Sequence, residues 1–417
     1  MAAMIELAAE EGYGAVRIGE LVTLAGVSRP TFYEYFKEKS DCLRAAIEHL
    51  QQRLLGEARE RIAGGGSQEA LAAALRALVA FASSSPRQAR VLMVESMAGG
   101  PRALDARDQG IGAIASVVEG VYETAPGGAS APDVSPALAI GGVYRLLACR
   151  LRRGEEVREE LSEELARWLA AYARPLDRHR WRALSPSAPR TIPDASPPLL
   201  KPARPAKKAT RPSEQATAER ERILFAAAEI AEQDGYAAAS IAEICKRAGV
   251  DHRAFHRAFE RRRDVIAALH ERFFQHLMTV SAGAFFGEAS WPERIWDAGL
   301  AFGQSAEQEP TLAYVSFVEG PAAGPEAVQR YDDLVNAFTI FLEQGDQQGS
   351  EANGPSTVAR EAIAWTTHEA NYARARTHGE QGIVELLAPL AFVVLAPFLG
   401  VAAADRFIDR KLGEEPS

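Results

Sequence analysis

Apolar residues recur at three- and four-residue intervals along most of this chain, and no alternating strand pattern persists, so the elements it predicts are helices. Ile18, Leu21, Val22 and Ala25 share one face of a short helix, the spacing of a buried stripe. Gly26 stands where that helix ends in a left-handed turn, and Val27 is expected to plug the corner. Ser28 can cap a second helix, Pro30 fits its first turn because its missing N–H costs little there, and Phe32 and Phe36 anchor it. Leu43, Ile47, Leu50 and Leu54 have the spacing of a long helix that follows. Arg29, Thr31, Tyr33, Glu34, Tyr35 and Lys37 are left on the outer face of the second short helix. Two short helices joined by a tight glycine turn, the second with a basic and hydroxyl-rich outer face, make a helix-turn-helix.

The same pattern occurs twice. Residues 12–45 align with 235–268 without a gap at an offset of 223. Twelve of the 34 positions are identical: Gly12, Tyr13, Ala15, Ile18, Glu20, Ala25, Gly26, Val27, Phe32, Phe36, Asp41 and Ala45. Nearly all of these are turn or core types, and the outward positions between them mostly differ. Further along, at an offset of 224, Pro86, Val94-Glu95 and Gly100-Pro101 reappear as Pro310, Val318-Glu319 and Gly324-Pro325. Arg152-Arg153-Gly154-Glu155 has a looser echo in Arg376-Thr377-His378-Gly379-Glu380. Whole halves are duplicated, each of roughly 190–200 residues, an ordinary domain-pair size.

Between the halves, residues 183–216 hold eight prolines, with six basic residues against two acidic ones, and read as an extended linker. A solvated spacer is the plain account of this stretch, and a basic strap along DNA phosphates the sharper one. A chain of 417 residues exceeds one ordinary helical core. Its net charge of −9 argues against indiscriminate coating of nucleic acid but leaves room for a local basic face. Cys42, Cys149 and Cys245 are scattered and odd in number, which fits a reducing cytoplasm rather than a disulfide framework. The chain opens directly on an amphipathic pattern, without a charged-then-apolar secretory segment. Leu386–Ala404 runs 19 residues without a charge, but Pro389, Pro397 and Gly400 interrupt it, and a buried interface is expected there rather than a membrane helix.

The run Gly12-Tyr13 … Ile18 … Glu20-Leu21 … Ala25-Gly26-Val27-Ser28-Arg29-Pro30-Thr31-Phe32-Tyr33-Glu34-Tyr35-Phe36-Lys37-Glu38-Lys39 resembles the DNA-binding domain of the TetR family of transcriptional regulators. The resemblance covers about 50 residues in each copy. It implies an all-α fold of two tandem halves, each a reading domain followed by a larger domain that dimerises and often encloses a small ligand. The expected boundaries are 1–46 and 47–182 for the first half, 183–216 for the linker, and 217–269 and 270–412 for the second half. Position by position, Thr31, Tyr33 and Lys39 resemble residues that hold the phosphate backbone, while Arg29 and Tyr35 lie on the face that would enter the major groove. Arginine suits guanine O6 and N7, whereas hydroxyls and lysine mostly fix register. Two departures stand out: Arg17 occupies a position where the family has Ser or Thr, and the first helix looks clipped. A true start upstream of Met1 is one expectation from the second departure.

In the second copy Asp251 takes over as the cap, while Thr31, Tyr33, Tyr35 and Lys37 become Ala254, His256, Ala258 and Glu260. Residues 238–264 carry seven Lys or Arg against four acids, so His252, Arg253, His256, Arg257 and Arg262 are candidate DNA contacts of a more electrostatic kind. A copy kept only for packing is the competing reading. His252 and His256 lie four apart, but no carboxylate accompanies them as in a zinc-hydrolase helix, and no metal or cofactor is expected. In the larger domains Tyr314, Trp365, His368 and Tyr372 are candidates to line a ligand pocket by their polar tips, although each alone reads as core. Nucleophile–base motifs and phosphate loops are lacking, so an enzyme is not expected. The partners implied are double-stranded operator DNA and a small hydrophobic or amphipathic effector, with no membrane. The halves are expected to act as a pseudo-dimer within one chain, or the chain as a homodimer. The rival reading is a helical interaction scaffold whose second head no longer binds DNA.

Overall fold

Prolines in first turns and glycines after last turns divide the apolar stripes into helices. The computed structural model describes residues 1–98, 101–183, 199–200, 212–235, 238–287, 289–320, 325–347, 354–376 and 382–413. Two compact units emerge. One gathers Met1–Ser185, Val335–Ala370 and Pro389–Ser417; the other gathers Pro186–Leu334 and Asn371–Ala388.

The first unit opens with α1 (Ala2–Glu11), α2 (Ile18–Ala25), α3 (Arg29–Tyr35) and the long α4 (Lys39–Ala63). Leu43, Ile47, Leu50 and Leu54 of α4 are buried, as their spacing predicts, against α5 (Ala70–Ser84) and α7 (Pro101–Glu123). Each such side chain withdrawn from water stabilises the fold by about 1.5–3 kcal/mol. Between those two helices lies α6 (Pro86–Met93), and α8 (Pro136–Arg152), α9 (Leu161–Ala170) and the short α10 (Arg180–Ala183) follow. One element escapes the sequence pattern: Ser130–Pro132 and Ala173–Pro175 pair as an antiparallel ribbon, with Ala131 opposite Arg174. Strands of three residues are too short to leave a period-two signature.

The second unit repeats the opening motif in α11 (Pro212–Asp234), α12 (Ile241–Ala248), α13 (His252–Ala258) and α14 (Arg262–Phe285). Then come α15 (Trp291–Gln308), α16 (Pro310–Tyr314) and α17 (Pro325–Ala337), whose last three residues belong to the first unit. The chain continues through α18 (Thr339–Glu343), α19 (Thr357–Arg376), α20 (Leu387–Leu399) and α21 (Val401–Gly413). The charge-free run Leu386–Ala404 is therefore broken at Gly400, between α20 and α21. No helix among the described residues is long and apolar enough to cross a membrane. Most of the proline-rich linker, Tyr236, Gly100 and the echo at 377–380 lie outside the described residues.

The first unit also holds elements from both halves of the sequence. Tyr172 accepts a hydrogen bond from Trp168 Nε1 at 2.8 Å and donates to the Val393 carbonyl at 2.7 Å. Arg174 pairs with Asp133 at 3.2 Å and with Asp405, and Arg180 pairs with Asp405 at 3.0 Å.

In the second unit His270 of α14 is buried between aromatic rings, 4.5 Å from Phe274 and 5.4 Å from Tyr331. Burial pushes its pKa down to about 4, and the charge of Arg330 acts in the same direction. The folded state therefore prefers the neutral imidazole, and between its folded value and an ordinary value of roughly 6.5 the unfolded chain binds more protons. Stability is full above that ordinary value and falls as pH drops toward the folded value. We expect urea unfolding of the second unit to lose on the order of 3 kcal/mol between neutral pH and pH ~4 from this group. The His270→Gln variant should lose that much less over the same range. An unchanged pH slope in the variant would show that other groups carry the dependence.

Candidate nucleic-acid interface

Each motif is built by a left-handed glycine, a side-chain cap on its second helix and a pair of phenylalanines. In the first, Gly26 adopts a left-handed conformation at φ 65°, letting Val27 N–H reach back to the Val22 carbonyl at 3.0 Å. Ser28 Oγ then accepts from Thr31 N–H at 3.2 Å and starts α3, with Pro30 in the first turn. Phe32 is buried and Phe36 half-buried, their ring centroids 5.4 Å apart. Val27 does not plug the corner: it is 43% exposed, and Ala25 is exposed as well, so Leu21 and Val22 carry the buried stripe of α2. The left-handed turn swings the chain outward at once, which leaves the corner side chain facing water.

On the outer face of α3, Tyr33 and Tyr35 are 53% and 78% exposed and Arg29 is exposed too; Lys37, expected on this face, is exposed just past the end of the helix. Large exposed aromatics on a short helix are out of place unless something covers them. Thr31 is half-buried, its hydroxyl 2.9 Å from Ser28 Oγ within the cap. Lys39 turns inward. Its Nζ donates to the carbonyls of Tyr13 and Val16, both at 2.9 Å, and lies 4.3 Å over the Tyr13 ring, where burial lowers its pKa. Tyr13 N–H donates in turn to Glu95 Oε2 at 2.8 Å, and burial raises the Glu95 carboxyl above its ordinary range. Glu95 thus fastens the reading head to the helical body. In the sequence Val94-Glu95 stands out only as a repeated pair.

The second motif keeps the devices with different residues. Ser240 Oγ accepts from Glu243 N–H at 3.2 Å, the cap that Arg17 lacks in the first copy. Gly249 is left-handed at φ 62°, and Asp251 Oδ1 accepts from Ala254 N–H at 2.7 Å. Phe255 and Phe259 are both buried. His252, Arg253, His256 and Arg257 are exposed on α13, and Arg262 is half-buried at the start of α14. His252 and His256 belong to no metal-holding group among the described residues.

A contact the sequence did not announce restrains this second face. Arg257 donates to Glu219 of α11 at 2.8 Å, and Gln215 holds the same carboxylate at 2.9 Å. Arg220 lies 4.8 Å over the Phe259 ring, and Glu221 forms a two-pronged pair with Arg272 at 2.6 and 2.7 Å. These partners sit on an N-terminal stretch of α11, a helix of 23 residues against ten in α1. The longer first helix of the second copy was visible in the sequence, but not the pairs it makes.

The four candidate ligand residues are divided between the two units. Trp365 and His368 belong to the first unit, buried, with rings 5.8 Å apart. Tyr314 and Tyr372 belong to the second, the former half-buried and the latter buried.

The family model described as "Bacterial regulatory proteins, tetR family" matches residues 1–46 and again 223–269. No functionally curated protein matches the chain. Solved structures that are similar include a tetR-family regulatory protein from Rhodococcus RHA1 at 18% identity, covering 46% of this chain and 95% of its own, with a TM-score of 0.35. The fatty acid degradation regulator FadR from Bacillus halodurans is 18% identical over 45% of this chain and 97% of its own, with a TM-score of 0.39. A FadR from Bacillus subtilis, solved in complex with stearoyl-CoA, is 19% identical over 42% and 97%, with a TM-score of 0.37. The family model falls on the two glycine-turn motifs, so the chain carries the DNA-binding domain of the tetR family of bacterial regulatory proteins twice.

Proposed function

We propose that this regulator is a repressor whose two non-identical heads read one asymmetric stretch of double-stranded DNA, and that a small hydrophobic or amphipathic effector releases it. The observation that supports this most is the pair of outward faces. That of α3 presents Arg29, Tyr33 and Tyr35, with Lys37 exposed just past its end, and that of α13 presents His252, Arg253, His256 and Arg257. Two copies of one scaffold with different exposed residues fit two half-sites of different sequence better than a palindrome.

Within the first head, Arg29 and Tyr35 are assigned to base edges, and Thr31, Tyr33 and Lys37 to phosphates. Lys39, tied to three backbone carbonyls, is assigned to holding the turn before α2 in place for that contact. The effector acts by binding one arrangement of the heads better than the other. Tyr314, Trp365, His368 and Tyr372 remain the proposed polar tips of its site or sites.

The Glu219–Arg257 pair supports a second, narrower reading in which the second head is held partly neutral. Only the Arg257 end of the pair is open to solvent, 58% exposed against 10% for Glu219, and it is there that a phosphate would compete for the guanidinium. Under this reading the second head is a weaker contact rather than a dead one.

Two outcomes are expected from mobility shifts and footprinting on DNA upstream of the chain's own coding region. Alanine at Arg29, Thr31 and Tyr33 together should abolish specific binding. Alanine at His252, Arg253 and Arg257 should shorten the footprint to one half-site. A full footprint after the second change would make the second head a scaffold element only. Separately, Glu219→Gln frees Arg257, and the slope of log affinity against log salt should steepen by roughly 0.9 for the phosphate gained. An unchanged slope would place Arg257 off the DNA.

A further inference from the structure

At an offset of 224, Arg150 and Arg152 of α8 fall on Arg374 and Arg376 of α19, which puts Gly142 in register with Thr366 and Arg145 with Glu369. In the first unit these equivalent residues meet one another. A Cβ placed on Gly142 would lie 2.7 Å from the Thr366 Cα, so the two backbones touch where only glycine fits. Arg145 Nε donates to Glu369 Oε2. Helical side chains lean toward their own N-terminus, so the heads of Arg145 and Glu369 both lie back over the crossing at 142 and 366. A residue that meets its own counterpart marks a local two-fold relation between α8 and α19.

Charges at such a place are unusual. Both side chains are 6% exposed. Arg107, 1% exposed, adds a two-pronged bond to Glu369 at 2.7 and 2.9 Å, and also pairs with Asp108 at 2.8 Å. Burial alone would raise the Glu369 carboxyl, but the two guanidinium groups outweigh it and hold the carboxyl below its ordinary value. The position equivalent to Arg107 is Tyr331, so this third member occurs in one half only.

We propose that Arg145 and Glu369, with Arg107, are the specificity determinants of half-to-half pairing, admitting only a first half against a second half. Two first halves joined through α8 would bury Arg145 against Arg145, with an Arg107 from each side added. Two second halves joined through α19 would bury Glu369 against Glu369 with no guanidinium nearby. Removing the partner of a buried charge is strongly destabilising, and like charges brought together reject the wrong partner. The inference rests on the two-half reading of the chain but requires no DNA, so its test is separate from the test of operator binding.

The experiment uses three full-length variants. Glu369→Arg puts arginine at both positions of one chain, and Arg145→Glu puts glutamate at both. Each alone should lower the melting midpoint by roughly 10 °C or fail to give a monodisperse species. Co-expressed with different affinity tags, the two should co-purify one to one at the mass of two chains by light scattering, since each then supplies the half the other needs. Arg145→Glu with Glu369→Arg in a single chain should restore a single-chain species melting near the wild type. If either single variant keeps the wild-type melting midpoint and mass, or the co-expressed pair does not associate while each chain is soluble, the charges do not select the partner.

Discussion

A helix of seven residues does not hold together by itself in water, because nucleation costs more than so few hydrogen bonds return. Both reading helices, α3 and α13, have this length, and each exists only as far as its inner face is pinned. Phe32 and Phe255 do the pinning, Ser28 and Asp251 satisfy the first free N–H groups, and Gly26 and Gly249 aim the helix as it leaves the turn. Everything proposed about the outer residues depends on that anchoring. With the inner face fixed, the outer face is free of packing duty, and its residues can diverge without loss of fold. The spread of identities between the two copies has this origin: cores and turns are shared, faces are not.

The two heads differ also in how they are tied down. In the first, Lys39 and Tyr13 bind the turn before α2, and Glu95 carries that tie into the helical body. Glu95 stands two residues past the end of α6, so the tie joins the head to the chain between α6 and α7. In the second, the extended α11 adds acids on the outside of the motif, and Glu219 reaches the reading helix itself. The same scaffold thus has an inward tether in one copy and an ion pair onto the reading helix in the other.

Much of this was legible in the sequence, and the limits of that reading are physical. The turn glycines, the caps at Ser28 and Asp251 and the apolar spacing of α4 are local signals, decided within a few residues of each other. Arg17 is a departure visible in the sequence, and Ser240 takes the capping role in the other copy. What the sequence could not supply were contacts between residues far apart along the chain. Glu95 and Tyr13 are 82 residues apart, Glu219 and Arg257 are 38, and Arg145 and Glu369 are 224. Val27 was misplaced for the opposite reason. Its exposure follows from the direction in which the chain leaves a left-handed residue, which an apolar side chain does not reveal. The three-residue ribbon was invisible because a period needs more than one repeat to be seen.

Fusion of two halves changes what an interface is allowed to contain. Two identical chains related by a two-fold axis must be self-complementary, so a charged residue at the axis faces its own copy and is excluded from burial. Once the halves share one chain, equivalent positions can drift apart in sequence, and one can become arginine while the other becomes glutamate. The pair then closes a contact that neither half can make with itself, and its charge makes the duplication hard to reverse, since a half released from its partner would bury an unpaired ion in any like-with-like pairing. The same freedom applies to the reading helices, where symmetry would otherwise force both heads to match the same half-site. Asymmetry at the buried crossing and asymmetry at the exposed faces are therefore two consequences of one event. If the charges select the partner as proposed, the buried asymmetry would secure the exposed one, because a chain that always paired unlike halves would always present unlike heads.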